Sequence, residues 1–309
     1  MRNAPVSEEN PRRAPVGVFV GLATLDVIHR IAKPPAVNEK ITSAAQFVAA
    51  GGPAANAAVT FAALGGEATL VTALGDDPVA DLIRADLTVC GVSVIDATAG
   101  SVRPVPVSSV AVVESTGDRS VISSDAVTSD ATPPEDLGDH VDTADVVLID
   151  GHHPLMARAA AQHAYERGTT VVVDAGRWKP VMADLVPHVS DMVCSGDFRT
   201  PGADTSNATA AALVKSGVRT VVITHGGDPV TWWSGGESGE VPVPPVTVVD
   251  TLGAGDAFHG AYAYYSTRSD SGVAERIDRS SRVAALRCSV VGPRAWLSKL
   301  PDQIRKREW

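Results

Sequence analysis

Apolar residues along this chain fall into short, valine-rich runs separated by alanine-rich stretches of helical period. The first run, 16–22 (VGVFVGL), is β-branched and short, so it predicts a buried strand. Similar runs predict strands at 68–74, 145–150, 170–174, 191–194 and 219–224. Beside them, 53–64, 78–90, 155–167, 205–216, 254–267 and 272–291 predict helices. Buried strands alternating with helices imply an α/β fold, its mostly parallel sheet covered on both faces.

Two segments break the rhythm. Residues 27–47 hold Lys33-Pro34-Pro35 and Asn38-Glu39-Lys40 between short β-prone pieces, and 105–124 alternate around Thr116-Gly117-Asp118 as a hairpin does. Neither suits a crossover helix. They read as strands of a small sheet over the strand ends, or as plain surface hairpins. Glycine- and proline-rich stretches at 235–239 and 242–245 predict turns.

Length and charge narrow the picture. The chain has 309 residues, enough for one large core with a small appendage. Its net charge of −10 weighs against nucleic-acid or anionic-membrane partners, which need a basic surface. Cys90, Cys194 and Cys288 form no Cys-x-x-Cys pair, so a disulfide framework or zinc site is not expected. Residues 1–14 are polar and proline-rich and read as a disordered tail rather than a signal peptide, and no run nears the ~18 apolar residues that span a bilayer. A cytoplasmic location is expected.

Chemistry concentrates at Asp250-Thr251-Leu252-Gly253-Ala254-Gly255-Asp256-Ala257-Phe258, a strand end, a small-residue turn and a helix start. Free N–H donors at a helix start favour an anion, and glycine lets a ligand approach the backbone. A carboxylate in that first turn repels phosphate, so Asp256 has either a task, such as accepting a hydroxyl proton, or the plain role of a helix cap. Ala50-Gly51-Gly52-Pro53-Ala54-Ala55-Asn56 is a second glycine pair opening a helix, with Asn56 a turn inside and Asp26 after the first strand. Packing alone could also explain that pair. Phe258 stands where a dinucleotide fingerprint needs its third glycine, and no G-x-x-x-x-G-K-[ST] occurs. No Gly-x-Ser-x-Gly elbow occurs either.

The early Gly-Gly-x-x-x-Asn-x-Ala and the late Asp-Thr-x-Gly-Ala-Gly-Asp together resemble the two signatures of the ribokinase-like (PfkB) carbohydrate kinases, over about residues 16–301. Within that family GLATLDVI, GGPAANAA, TGDRSVI, DTLGAGDAFHGA and AALRC look most like ketohexokinase and sulfofructose kinase. The resemblance implies a ribokinase-like three-layer core over 15–309, with lid segments at about 27–47 and 103–125 that often form a dimer contact. It implies ATP-dependent phosphorylation of a sugar hydroxyl, a ketose or related small sugar. Asp256 would be the general base, and Gly253, Ala254 and Gly255 the anion hole. Asp26, Gly52 and Asn56 would hold the sugar, with Arg119 near the reacting groups, and Thr224, Gly226 and Thr251 would lie on the nucleotide side. ATP, Mg²⁺ and a monovalent cation are the cofactors it suggests.

Departures from the family are specific. The usual Asn-x-x-Glu is replaced by Ser195-Gly196-Asp197-Phe198, so the metal ligands are unassigned. Pro53 stands where ketohexokinases have an asparagine. Lys40 aligns with a lysine of the sulfofructose kinase acid pocket, but His152 stands where that pocket's arginine is expected. His225, His259 and the Trp232-Trp233 pair adjoin the motifs and either line the site or pack beside it. Two alternatives stand: a nucleoside kinase, disfavoured by 5% aromatic content, and a catalytically idle sugar- or nucleotide-binding regulator.

Overall fold

Valine-rich runs whose alternate residues all meet apolar neighbours can only be interior strands. In chain order the elements are β1 (Val16–Val20), β2 (Thr24–Ile31), β3 (Ala45–Gly51), α1 (Pro53–Ala63), β4 (Glu67–Thr72), α2 (Pro78–Val89), β5 (Val92–Asp96), β6 (Val107–Val113) and β7 (Arg119–Ile122). They continue with α3 (Leu137–Thr143), β8 (Val146–Ile149), α4 (Pro154–Arg167), β9 (Thr170–Ala175), α5 (Met182–Leu185), β10 (Asp191–Ser195) and α6 (Ser206–Lys215). The last are β11 (Thr220–His225), β12 (Asp228–Ser234), β13 (Glu237–Val241), α7 (Ala254–Ser266) and α8 (Val273–Cys288). This computed structural model describes residues 13–268 and 271–300. Most of the tail expected over 1–14 therefore lies outside the described residues, while Arg13 pairs with Asp145 through two bonds of 2.7 and 3.0 Å.

The large sheet runs β13-β12-β11-β10-β9-β8-β1-β4-β5, parallel from β5 to β11, with β12 and β13 added antiparallel. Side chains alternate across it. Phe19, Leu148, Val172 and Val222 face α1, α2, α7 and α8, whereas Val18, Val20, Val147, Ile149 and Val173 face α3, α4 and α6. The result is a three-layer α/β fold. β1 lies between β4 and β8, so successive connections leave it in opposite directions, and the crevice at its C-terminal end is where such sheets place ligands.

The two segments that broke the rhythm form a separate sheet, β3-β2-β6-β7, with β2 antiparallel to β3 and parallel to β6. Its inner face carries Ile28, Val110 and Val112, packed with Phe47 and Leu252. Every residue of β7 is exposed, which leaves that strand as an open edge. The turn expected over 235–239 is narrower than its composition implies: Gly235 and Gly236, with φ of 60° and 85°, make the reversal, and the chain then enters β13.

Candidate active site

α1 is alanine-rich because it runs against a neighbouring helix. Ala54, Ala55, Ala57 and Ala58 are fully buried, and a Cβ on Gly260 of α7 would come within 2.3 Å of the Ala57 carbonyl oxygen. This backbone approach sets the first turns of α1 and α7 side by side. Asn56 Nδ2 then donates to Asp256 Oδ2 at 2.8 Å, joining residues 200 positions apart. The start of α1 is held by buried Asp150, whose Oδ2 accepts from the backbone N–H of Leu22 (2.9 Å) and Ala54 (3.2 Å). Gly52 precedes α1 at φ 97°, and any Cβ there would meet the Leu22 carbonyl oxygen at 2.3 Å.

At the other helix, Gly253 turns the chain at φ 69° and α7 starts at Ala254. The Ala254 N–H reaches Thr251 O at 3.3 Å. The N–H groups of Gly255 and Asp256 follow in the first turn, where a helix supplies no acceptor of its own. A Cβ on Gly255 would meet nothing within 4 Å. Half-buried Asp256 is pushed up to about 6 by the protein around it and then by the Asp174 carboxylate, against the opposing pull of Asn56, His259 and Arg119. Asp174 lies near the end of β9, and its Oδ2 is 3.3 Å from His259 Nδ1, while His259 Nε2 is 3.2 Å from Val193 O.

Between the two helix starts and the small sheet lies a pocket lined by Asp26, Asn56, Leu252, Gly253, Arg287, Arg294 and Trp296, among others. Asp26 on β2 accepts from Thr24 Oγ1 at 2.7 Å, and burial raises it despite bonds from Thr24 and Ser108 and the charge of Arg294. Gly51 is glycine for the same carboxylate: a Cβ there would sit 2.1 Å from Asp26 Oδ2. Each pocket arginine is already paired. Arg294 bonds Asp86 Oδ2 at 2.8 Å, and buried Arg287 lies 3.3 Å from Asp250 Oδ2. Asp250 also accepts from Leu252 N and Gly292 N, both at 3.0 Å, and Arg287 donates to Val290 O at 3.1 Å.

The small sheet is fastened to the α7 loop. Thr251 N and Oγ1 both donate to Gly117 O in the β6–β7 turn, at 3.1 and 2.8 Å. Arg119 Nη1 donates to Thr251 Oγ1 (3.1 Å), and Arg30 Nη1 to Val249 O (3.0 Å).

Of the expected site residues, Asp26, Asn56 and Gly253 line this pocket. Asp256 adjoins it through its bond to Asn56, and Gly52 opens α1 beside it. Ala254 and Gly255 continue the turn from Gly253, and Arg119 reaches that turn through Thr251. Thr224 lies half-buried near the end of β11, and Gly226 (φ 66°) makes the turn into β12, at a separate point along the sheet. Lys40 is exposed on the β2–β3 connection and is not among the pocket residues. His152 is buried with Nδ1 3.1 Å from Asp150 Oδ1, and His225 contacts Thr231 (3.2 Å). Trp232 lies under β13, where a Cβ on Gly239 would touch its ring. Asp197 is exposed after β10. Sequence reasoning misses Arg287, Arg294, Asp86 and Asp174; each comes from a segment without a glycine motif, and only the Pro293-Arg294 step after α8 hints at a fixed turn.

Comparison with known proteins bears on the family and the fold. Residues 18–300 match the model of the pfkB family carbohydrate kinases. The chain is 29% identical over 292 residues to the ATP-dependent ribose-1-phosphate kinase of Halopiger xanaduensis, spanning 89% of this chain and 92% of that protein. Arabidopsis thaliana ribokinase, solved with ribose and ATP, has the same fold at a TM-score of 0.74 and 24% identity over 93% of this chain and 99% of that one. Giardia lamblia ribokinase has it at a TM-score of 0.80 and 17% identity, over 95% and 100%.

Proposed function

The chain belongs to the pfkB family of carbohydrate kinases, phosphotransferases with an alcohol acceptor, and we propose that it moves the γ-phosphoryl group of ATP onto a hydroxyl of a small uncharged sugar, a ketose or pentose. One observation carries the reading: the Asp256 carboxylate, held by Asn56, stands in the first turn of α7 beside N–H donors that lack helical acceptors and beside a polar pocket. In the proposed step the sugar oxygen attacks the γ-phosphorus, its proton passes to Asp256, the bond to the β-phosphate oxygen breaks and ADP leaves. Backbone N–H groups of the 253–255 turn hold the charge on the transferring oxygens. Asp26, Gly52 and Asn56 position the sugar, Arg119 lies at the reacting end, and Thr224, Gly226 and Thr251 border the nucleotide.

Charge supports an uncharged substrate. Arg294 and Arg287 are each balanced by a carboxylate, while the Asp26 carboxylate lines the pocket without an ion pair of its own and Asp256 stands next to it, bonded to Asn56. An anionic sugar would meet net repulsion there. The exposed Lys40 and the buried His152 supply no compensating site in the pocket.

Among the described residues no group of three or more His, Cys, Asp or Glu side chains could hold a metal by itself. Mg²⁺ arriving with the nucleotide would need few ligands from the chain itself, and it would supply charge neutralisation of the phosphates. A separate monovalent cation does not fit the Asp250 end of the α7 loop. That carboxylate is already matched by Arg287 and two N–H donors. We further assign the outer face of the small sheet, with exposed Val48, Val107 and Ile122, as a contact between two copies of the chain.

ADP release measured across ketoses, aldoses, nucleosides, ribose 1-phosphate and acidic sugars tests the reading, with Asp256→Asn as the blank. Turnover of a neutral sugar, absent from the blank, is expected. Preference for ribose 1-phosphate would overturn the charge argument, and inactivity on every compound would move the chain to a binding role.

A further inference from the structure

Arg294 lies on the turn after α8 and spreads its guanidinium over three elements. Nε and Nη2 donate to Asp86 Oδ2 of α2 at 3.1 and 2.8 Å, Nη2 donates to Ala50 O at 2.7 Å, and Nη1 donates to Asn56 Oδ1 at 3.2 Å. Asp86 Oδ2 also accepts from Ala50 N at 3.0 Å. The side chain is therefore anchored at one end and reaches Asn56 with the other.

The two ends of an asparagine amide are nearly equal in size, so neighbours decide which way it points. Arginine only donates. Asn56 must then turn its oxygen to Arg294 and its nitrogen to Asp256, as the 2.8 Å bond records. An inverted amide would set donor against donor at Arg294 and oxygen against a carboxylate at Asp256. We infer that Arg294 is a positioning residue, which locks the Asn56 amide so that its N–H holds Oδ2 of Asp256 and leaves Oδ1 to the reacting hydroxyl.

The chain Asp86–Arg294–Asn56–Asp256 gives the pocket arginine a role that needs no anionic ligand. The Asn56 N–H favours the ionised carboxylate, against burial and Asp174 on β9. His259 on α7 and Arg119 on β7 act in the same direction as Asn56. Around Arg294 itself stand Asp26 on β2, Asp86 on α2, Cys90 just after α2, and Arg287 on α8. None of these can replace a lost hydrogen bond to the Asn56 oxygen, since none bonds that atom. Freed from Arg294, the amide loses one of the two bonds that orient it, its hold on the ionised carboxylate loosens, and Asp256 then keeps its proton to higher pH.

This inference rests on Asp256 as the proton acceptor for its kinetic consequences but not for its titration. Wild type, R294M and R294K, labelled with ¹³C at aspartate carboxyls, are titrated, with D256N identifying the Asp256 signal. The midpoint of Asp256 should rise by about one pH unit in R294M and by less in R294K, which can bond Asp86 or Asn56 but not both. With a sugar that wild type phosphorylates, kcat/KM of R294M should fall about fivefold at pH 6 and recover by about pH 8.5, with KM little changed. An unmoved Asp256 midpoint in folded R294M overturns the inference, as does a loss that appears in KM alone at every pH. Should R294M melt too early to titrate, an unmoved midpoint in R294K has the same force. If wild type phosphorylates nothing, the kinase reading fails while the titration still decides the role of Arg294.

Discussion

Two glycine turns open two helices in this protein, and they are glycine for opposite reasons. At Gly51-Gly52 the missing side chains make room for the protein's own atoms: the Asp26 carboxylate lies 2.1 Å from one absent Cβ and the Leu22 carbonyl 2.3 Å from the other. At Gly255 the space is open, with nothing within 4 Å. The first turn is closed by packing and presents Asn56; the second is kept clear beside N–H groups that the helix leaves unsatisfied. Similar sequence signatures therefore separate into glycines that admit the protein's own atoms and a glycine that leaves a ligand clearance.

The largest expected effect tests what the open turn is for. Asp256→Asn should lower turnover by about a thousandfold while the fold persists. It should also melt higher than wild type at pH 8 and no higher near pH 4. A carboxylate whose native value is raised to about 6 from 3.8 burdens the fold only once it is ionised. Near-normal turnover would remove Asp256 from the reaction.

The contrast between the turns stands on the next pair. Gly255→Ala should cut kcat/KM by about ten- to a hundredfold by crowding the anion site, yet raise stability by up to about 1 kcal/mol, since alanine suits a helix better. Gly52→Ala should act on stability first. A Cβ against Leu22 O at positive φ should cost about 2–4 kcal/mol, read as a lower melting temperature. Equal melting shifts in the two variants would show that the turns do not differ as described.

Smaller effects sharpen the picture. Activity of the wild type should decline by about tenfold between pH 7 and pH 5 as Asp256 takes up its proton. Replacing K⁺ by choline at constant ionic strength should leave the rate unchanged, because Arg287 already faces Asp250; a marked dependence would contradict that pairing. Val48→Asp should shift a dimer toward monomer in sedimentation.

Much of this is legible in the chain because the signals are local. Valine runs of strand length, such as 16–22 and 170–174, and alanine stretches capped by glycine or proline mark most strands and helices. β5 and α3 escape that reading: VSVID is short and mixed, and LGDHVDT carries a glycine and two β-branched residues. At the site, Asn56 and Asp256 adjoin glycine turns that mark backbone approach, and Asp26 follows the first strand as a lone charged residue in an apolar stretch. Arg287, Arg294, Asp86 and Asp174 act through partners tens to hundreds of residues away, so only the packing of α1 on α7 and the return of the chain after α8 reveals them. Pairing of 237–241 as a strand likewise depends on β12, not on its own composition.

The fastening of the β6–β7 turn to Thr251 has a consequence for timing. A sheet tip bonded to the loop that opens α7 cannot shift without pulling on that loop. Sugar settling under the small sheet would thereby set the geometry in which ATP reacts. In the proposed reaction that link would make occupancy of the sugar's seat bear on how the nucleotide reacts, a safeguard against spending one ligand without the other.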